Sequence, residues 1–137
     1  ISSTLIGAMA QRLVRKICTK CITERMLSTE EAFSLRLTVP PGKKIKVKEG
    51  QGCHDCRGTG YLGRCGIFEI LPIDETIRPM ITRGVDSKQI QDAALAAGMQ
   101  TMRMHGARMV LEGTTSIAEI VRQTEEEAVA ALDPQAA

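Results

Sequence analysis

Tryptophan is missing from this 137-residue chain, and Phe33, Tyr61 and Phe68 are its only aromatics. A core must therefore come from Leu, Ile, Val, Met and Ala. With 43% of residues hydrophobic there is enough for one domain or two small ones. Neither charge sign is in excess: 18 Lys and Arg against 16 Asp and Glu leave a formal +2, too little for a general polyanion binder. A surface for nucleic acid would combine a basic stripe with stacking aromatics, and both are lacking. No apolar run is long enough to span a membrane, and no signal peptide is visible. A phosphate-cradling G-x-x-x-x-G-K-[ST] is absent, and the glycine-rich 58–63 run follows a cysteine pair, not a strand. His54 and His105 are the only histidines, and they form no readable Ser/His/Asp or Cys/His set. Catalysis by this chain alone is not expected. The chain starts at Ile1 without an initiator Met, and the expectation is a piece of something larger.

What the chain does have is thiols in pairs. Cys18-Thr-Lys-Cys21 and Cys53-His-Asp-Cys56 are two CxxC knuckles, each able to aim both sulfurs at one point. Four thiolates close a tetrahedral zinc shell and leave no position for water or substrate, so the expected metal is structural. Disulfides or a redox CxxC are the alternatives, but a thioredoxin-type pair opens a helix after a strand, and Cys18 reads as following a helix end. Reduced pairs fit a reducing cytoplasm. Zinc with four thiolates carries a formal charge of about −2, which the flanking Arg15, Lys16, Lys20, Arg57 and Arg64 could offset, although any one of them alone reads as an ordinary solvated surface charge. Cys65 reads as a buried free thiol in a strand-like run. His54 is a candidate replacement for one sulfur.

Along the chain, residues 3–17 read as an amphipathic helix: Leu5, Met9, Leu13 and Ile17 recur at four-residue spacing, with Ser2, Ser3 and Thr4 as caps. Ser28 with Glu31 is a capping box for a short helix to about Leu37. Pro40-Pro41-Gly42 breaks the chain. Lysines alternating with Ile45 and Val47 predict a strand over 44–48, and residues 66–71 a second. From Asp74 the pattern is helical. One helix runs from Asp74 to about Thr82, kinked or shortened by Pro79. A second starts at Asp86 or Ser87 and stops at Gly98. A third spans 101–111, and a fourth, capped by Thr115, spans 116–124. Met99, Met102, Met104 and Met109 at helical spacing read as core in preference to an adaptable groove. Residues 125–137 read as a tail. The expected fold is α+β, mostly α: a tetracysteine lobe over 18–70 with short strands, then a helical bundle over 71–124.

Ala10-Gln-Arg-Leu-Val-Arg-Lys-Ile-Cys18-x-x-Cys21 and Gly52-Cys-x-x-Cys-x-Gly-Thr-Gly-Tyr-x-Gly-Arg-x-Gly-Ile-Phe-Glu69 resemble the C-terminal part of the type II secretion and type IV pilus assembly ATPases. So do Ala97-Gly-Met-x-Thr-Met-x-x-x-Gly106 and Gly113-Thr-Thr-Ser-Ile-Ala-Glu-Ile-Val121, and the resemblance runs in order over residues 1–124. It implies a hexameric cytoplasmic motor at the inner membrane, driving a platform protein in secretion or pilus assembly. ATP and Mg²⁺ would bind upstream Walker boxes that this chain does not contain. It implies zinc on Cys18, Cys21, Cys53 and Cys56, and places residues 1–17 as the last helix of the ATPase core. His105, Cys65 and Pro79 depart from that pattern. A chaperone-type zinc module is the alternative, since Cys53-x-x-Cys-x-Gly-x-Gly60 is its repeat, but Cys21 is not followed by x-Gly-x-Gly.

Overall fold

The first element is a strand, contrary to the helix expected over 3–17. The computed structural model describes residues 3–125. In it β1 (Gly7–Ile17) runs antiparallel to β4 (Tyr61–Pro72), with Gly7 opposite Pro72 and Ile17 opposite Tyr61. The four-residue spacing misled because four is also a multiple of two, so positions 5, 9 and 13 share a strand face as readily as a helix face. The expected stripe, which Ile6 and Val14 widen, is split between the two strand faces: Ile6, Met9 and Leu13 are exposed, at 85%, 64% and 49%, while Val14 is fully buried and Leu5 packs on the smaller core cluster. Ile17 is buried beyond a register shift that falls between Arg15 and Ile17. Of the expected caps, Ser2 lies outside the described residues, and Ser3 and Thr4 form a turn.

A second two-stranded sheet pairs β2 (Ile22–Met26) with β3 (Lys46–Gly50), from Ile22 opposite Gly50 to Met26 opposite Lys46. Between them lies α1 (Thr29–Ser34), opened by the expected capping box: the Glu31 N–H donates to Ser28 Oγ and the Ser28 N–H to Glu31 Oε2. Arg25 bridges β2 to both carboxylates, donating to Glu31 and, at 2.9 Å, to Glu49.

The helices that follow are α2 (Ile77–Arg83), α3 (Ser87–Ala96), α4 (Met102–Glu112) and α5 (Ile117–Gln123). Asp74 does not begin α2 but accepts from the Thr76 and Ile77 N–H groups just ahead of it. Pro79 therefore falls in the first turn, where its fixed φ is tolerated, just after the Arg78 N–H donates to the Asp74 carbonyl at 2.9 Å. Asp86 caps α3 as expected; Thr101, expected as the first residue of its helix, is instead the cap of α4, and Gly113 ends α4 in the left-handed region. α5 is capped by Ser116, while Thr115 Oγ1 donates to the Arg15 carbonyl.

One core joins these parts. Val14 of β1, Leu35, Val47 of β3 and Ile67 of β4 meet Ala107 and Val110 of α4 and Ile117 and Ile120 of α5. Ile73, Ile77 and Ala94 form a smaller cluster where α2 and α3 pair. The chain is thus mixed α/β, with four strands and five helices among the described residues. The C-terminal helices are not a free-standing bundle: α4 and α5 complete the core beneath the strands. Met102 and Met109 pack on the main cluster and Met99 on the smaller one, while Met104 is 43% exposed. Of the tail expected over 125–137, all but Glu125 lies outside the described residues.

Candidate metal centre

The four paired cysteines converge from two separate turns. Cys18 leaves the end of β1 with its N–H on the Gly60 carbonyl at 2.9 Å. Cys21 enters β2, and its carbonyl accepts from the Gln51 N–H at 3.1 Å. Cys53 and Cys56 sit on a turn closed by the Gly58 N–H donating to the Cys53 carbonyl at 2.8 Å. Glycine is required where these turns cross: a Cβ on Gly50 would stand 2.0 Å from the Gly60 carbonyl oxygen, and one on Gly60, at φ +82°, 2.6 Å from that of Gly50.

All four sulfurs lie within 4.8 Å of one another. Cys18 and Cys53 Sγ are 3.7 Å apart, Cys21 and Cys56 3.9 Å, and Cys53 and Cys56 3.6 Å. Sulfurs about 2.3 Å from a central zinc in a tetrahedron stand roughly 3.8 Å from each other. The cluster could therefore hold a metal ion, and its donor set is that of a closed zinc site. No disulfide joins any of the five cysteines in this structure, and neither CxxC opens a helix as a thioredoxin-type pair does.

Backbone N–H groups supply the polarity that thiolates need. Gly52 donates to Cys21 Sγ at 3.3 Å, and Cys53 and Gly60 each donate to Cys56 Sγ at 3.2 Å. Burial pushes the Cys56 thiol up, but those two donors, together with hydrogen bonds from the Cys53 and Cys21 thiols, hold it down at about 6. Compensation was expected from basic side chains instead. Arg15 is engaged elsewhere, lying over the Tyr61 ring at 4.2 Å and against Glu119.

The other candidates fall away from the cluster. Cys65 sits on β4 opposite Val14 and packs on the core, and burial raises its thiol. The His54 side chain is fully exposed beside Asp55. His105 is on α4, where its Nδ1 accepts the Phe68 N–H at 3.0 Å.

Two buried charges went unforeseen. The Glu119 carboxylate, fully enclosed, accepts the Arg15 N–H at 2.6 Å, the Arg15 Nε at 3.1 Å and the Arg122 Nη2 at 2.7 Å. Burial would raise its pKa, but the hydrogen bonds from Arg15 and Arg122 hold it below the usual carboxylate range. Buried Arg103 donates to the Ser34 carbonyl at 3.0 Å and the Thr124 carbonyl at 2.9 Å, tying α4 to the ends of α1 and α5. A helical arginine carries no mark in sequence that it will cap two other helices. Tyr61, which leaves the second cysteine turn, reaches the α5 cap through Tyr61 Oη and Ser116 Oγ, 2.5 Å apart.

The family profile described as "Type II/IV secretion system protein" matches residues 1–122. The type IV pilus assembly ATPase PilB of Thermus thermophilus is 37% identical over 124 residues, covering 90% of this chain and 14% of that protein. The Pseudomonas aeruginosa type II secretion system protein HxcR is 37% identical over 90% of this chain and 22% of its own length. Type II secretion system protein E of the same organism is 35% identical over 93% of this chain and 25% of its own length. The chain thus spans a quarter or less of these relatives.

Proposed function

The chain belongs to the type II/IV secretion system protein family, and on that premise we propose that it is a non-catalytic part of a secretion or pilus-assembly motor, carrying a structural zinc. Cys18, Cys21, Cys53 and Cys56 hold the ion, each through one thiolate. Zinc there supplies a four-point cross-link and no open coordination position. The Gly52, Cys53 and Gly60 N–H groups stabilise the thiolate forms. The observation that carries this reading is the mutual approach of four sulfurs from two distant knuckles, at the spacing a tetrahedron needs.

The clipped lobe is rigidly joined to the helices, since Leu35 and Val47 share a core with α4 and α5. Its role is to present a fixed surface to a neighbouring subunit of a hexamer and to an inner-membrane platform protein. Residues 1–17 belong with the ATP-binding core, residues 18–70 form the zinc lobe, and residues 71–124 form the helical part. ATP and Mg²⁺ are handled by the rest of the motor. No helix of the described residues is long and apolar enough to cross a membrane, and the motor meets the cytoplasmic face of the inner membrane through its partners. No observation favours the chaperone-like alternative.

The test uses the complete motor with Cys53 and Cys56 replaced by Ser. Loss of zinc and of secretion or pilus extension, with ATP hydrolysis kept within a few-fold, is the expected result. Undiminished transport by a zinc-free motor would contradict the proposed coupling role.

A further inference from the structure

A cleft of about 470 Å³ lies away from the thiols, between the end of β4, the α2–α3 pair and the start of α4. Its walls include Ile70, Leu71, Ile77, Ala94 and Met99, and the proposed function uses none of them. The volume and apolar lining are those of a site for a small organic molecule, given a few polar groups that fix its orientation.

Those groups are on the α4 side of the cleft. His105 Nδ1 accepts the Phe68 N–H at 3.0 Å, so the proton of the neutral imidazole is on Nε2, which is then a donor. Among the described residues this Nε2–H has no partner. Arg108, one turn further along α4, lines the same cleft, and its guanidinium makes a single long contact, 3.4 Å, with Gln100 Oε1. Two under-used donors, one of them a permanent cation, thus border an aliphatic cleft. The one carboxylate there, Asp74, already accepts from the Thr76 and Ile77 N–H groups.

From this juxtaposition we propose that the cleft binds a small aliphatic carboxylate, its chain along Leu71, Ile77 and Ala94 and its head on Arg108 and His105 Nε2–H. A cationic end and an apolar body match an amphipathic anion. A neutral ligand of the same shape would leave Arg108 without a counter-charge and forgo a charge-assisted hydrogen bond.

Titration calorimetry of the 137-residue chain with dodecanoate, below its micellar concentration, tests this. One saturable site per chain is expected. Arg108→Gln should weaken binding by about tenfold or more, the usual worth of a hydrogen bond to a charged group. Dodecanol should bind wild type no better than dodecanoate binds that variant. Arg108 is exposed, so the variant should fold, and an unchanged melting curve would verify it. A second variant, Ala97→Leu, narrows the cleft from the exposed end of α3 and should weaken dodecanoate without altering the charge. No saturable binding, or dodecanoate bound equally by wild type and Arg108→Gln, would overturn the proposal.

Discussion

Glu119 on α5 accepts the backbone N–H of Arg15 on β1 at 2.6 Å and the guanidinium of the same residue at 3.1 Å. A strand that ends at the first cysteine knuckle is thereby held to α5 by one enclosed carboxylate. Glu119→Gln should cost about 2–3 kcal/mol, because an amide cannot accept all the N–H groups now aimed at the carboxylate. Arg15→Ala should cost less, about 1 kcal/mol, since Arg122 and the backbone N–H stay on Glu119. Urea unfolding of both variants checks this order. An Arg15 variant more damaged than the Glu119 variant would reverse the assignment.

Acid should weaken the β2–α1 junction through Glu31. The Arg25 guanidinium holds its carboxyl down at about 2, whereas an unfolded Glu titrates at roughly 4.3. A folded pKa below the unfolded one contributes stability above the unfolded value and loses it as pH falls towards the folded one. Stability should therefore decline between roughly pH 4.5 and about 2, and Glu31→Gln should flatten that decline. Denaturant midpoints taken across this range for both proteins give the comparison.

Gly50 and Gly42 should respond very differently to alanine. At Gly50 the added Cβ meets a backbone oxygen at 2.0 Å, so the knuckle must open, at a cost of about 3 kcal/mol or more. Gly42 has φ +80° but open space around it, so only left-handed strain of about 1 kcal/mol applies. Thermal melts separate the two, and the Gly50 variant should also lose zinc affinity.

The sequence carried local features well and remote ones poorly. The cysteine pairs, the Ser28–Glu31 capping box, the Asp86 cap and the helix end near Gly113 each lie within a few residues, and all are in place. β1 was misread because its helix-like spacing fits both periods, and only β4, far along the chain, decides between them. Glu119 and Arg103 look like surface charges on short helices. Their burial follows from which elements pack together, which no single segment records. The crossing of Gly50 and Gly60 was likewise hidden: glycine permits a tight turn anywhere, but only the fold shows which two must touch.

Metal removal should loosen the knuckles and spare the shared core. Chelation is expected to raise hydrogen exchange at residues 18–21 and 50–60, where the backbone is held by contacts around the sulfurs. Val47, Leu35 and α4 should stay protected, because their core does not include the cysteine turns. Uniform protection before and after chelation would mean the metal contributes no structure. Uniform loss would mean that the core depends on it entirely.

The most direct measurement is the mass of the native chain against the same chain denatured. One zinc per chain is predicted, lost when Cys18 or Cys53 becomes Ser and kept when Cys65 does. A chain with no metal, or with zinc that survives loss of Cys53, would contradict a closed four-thiolate site.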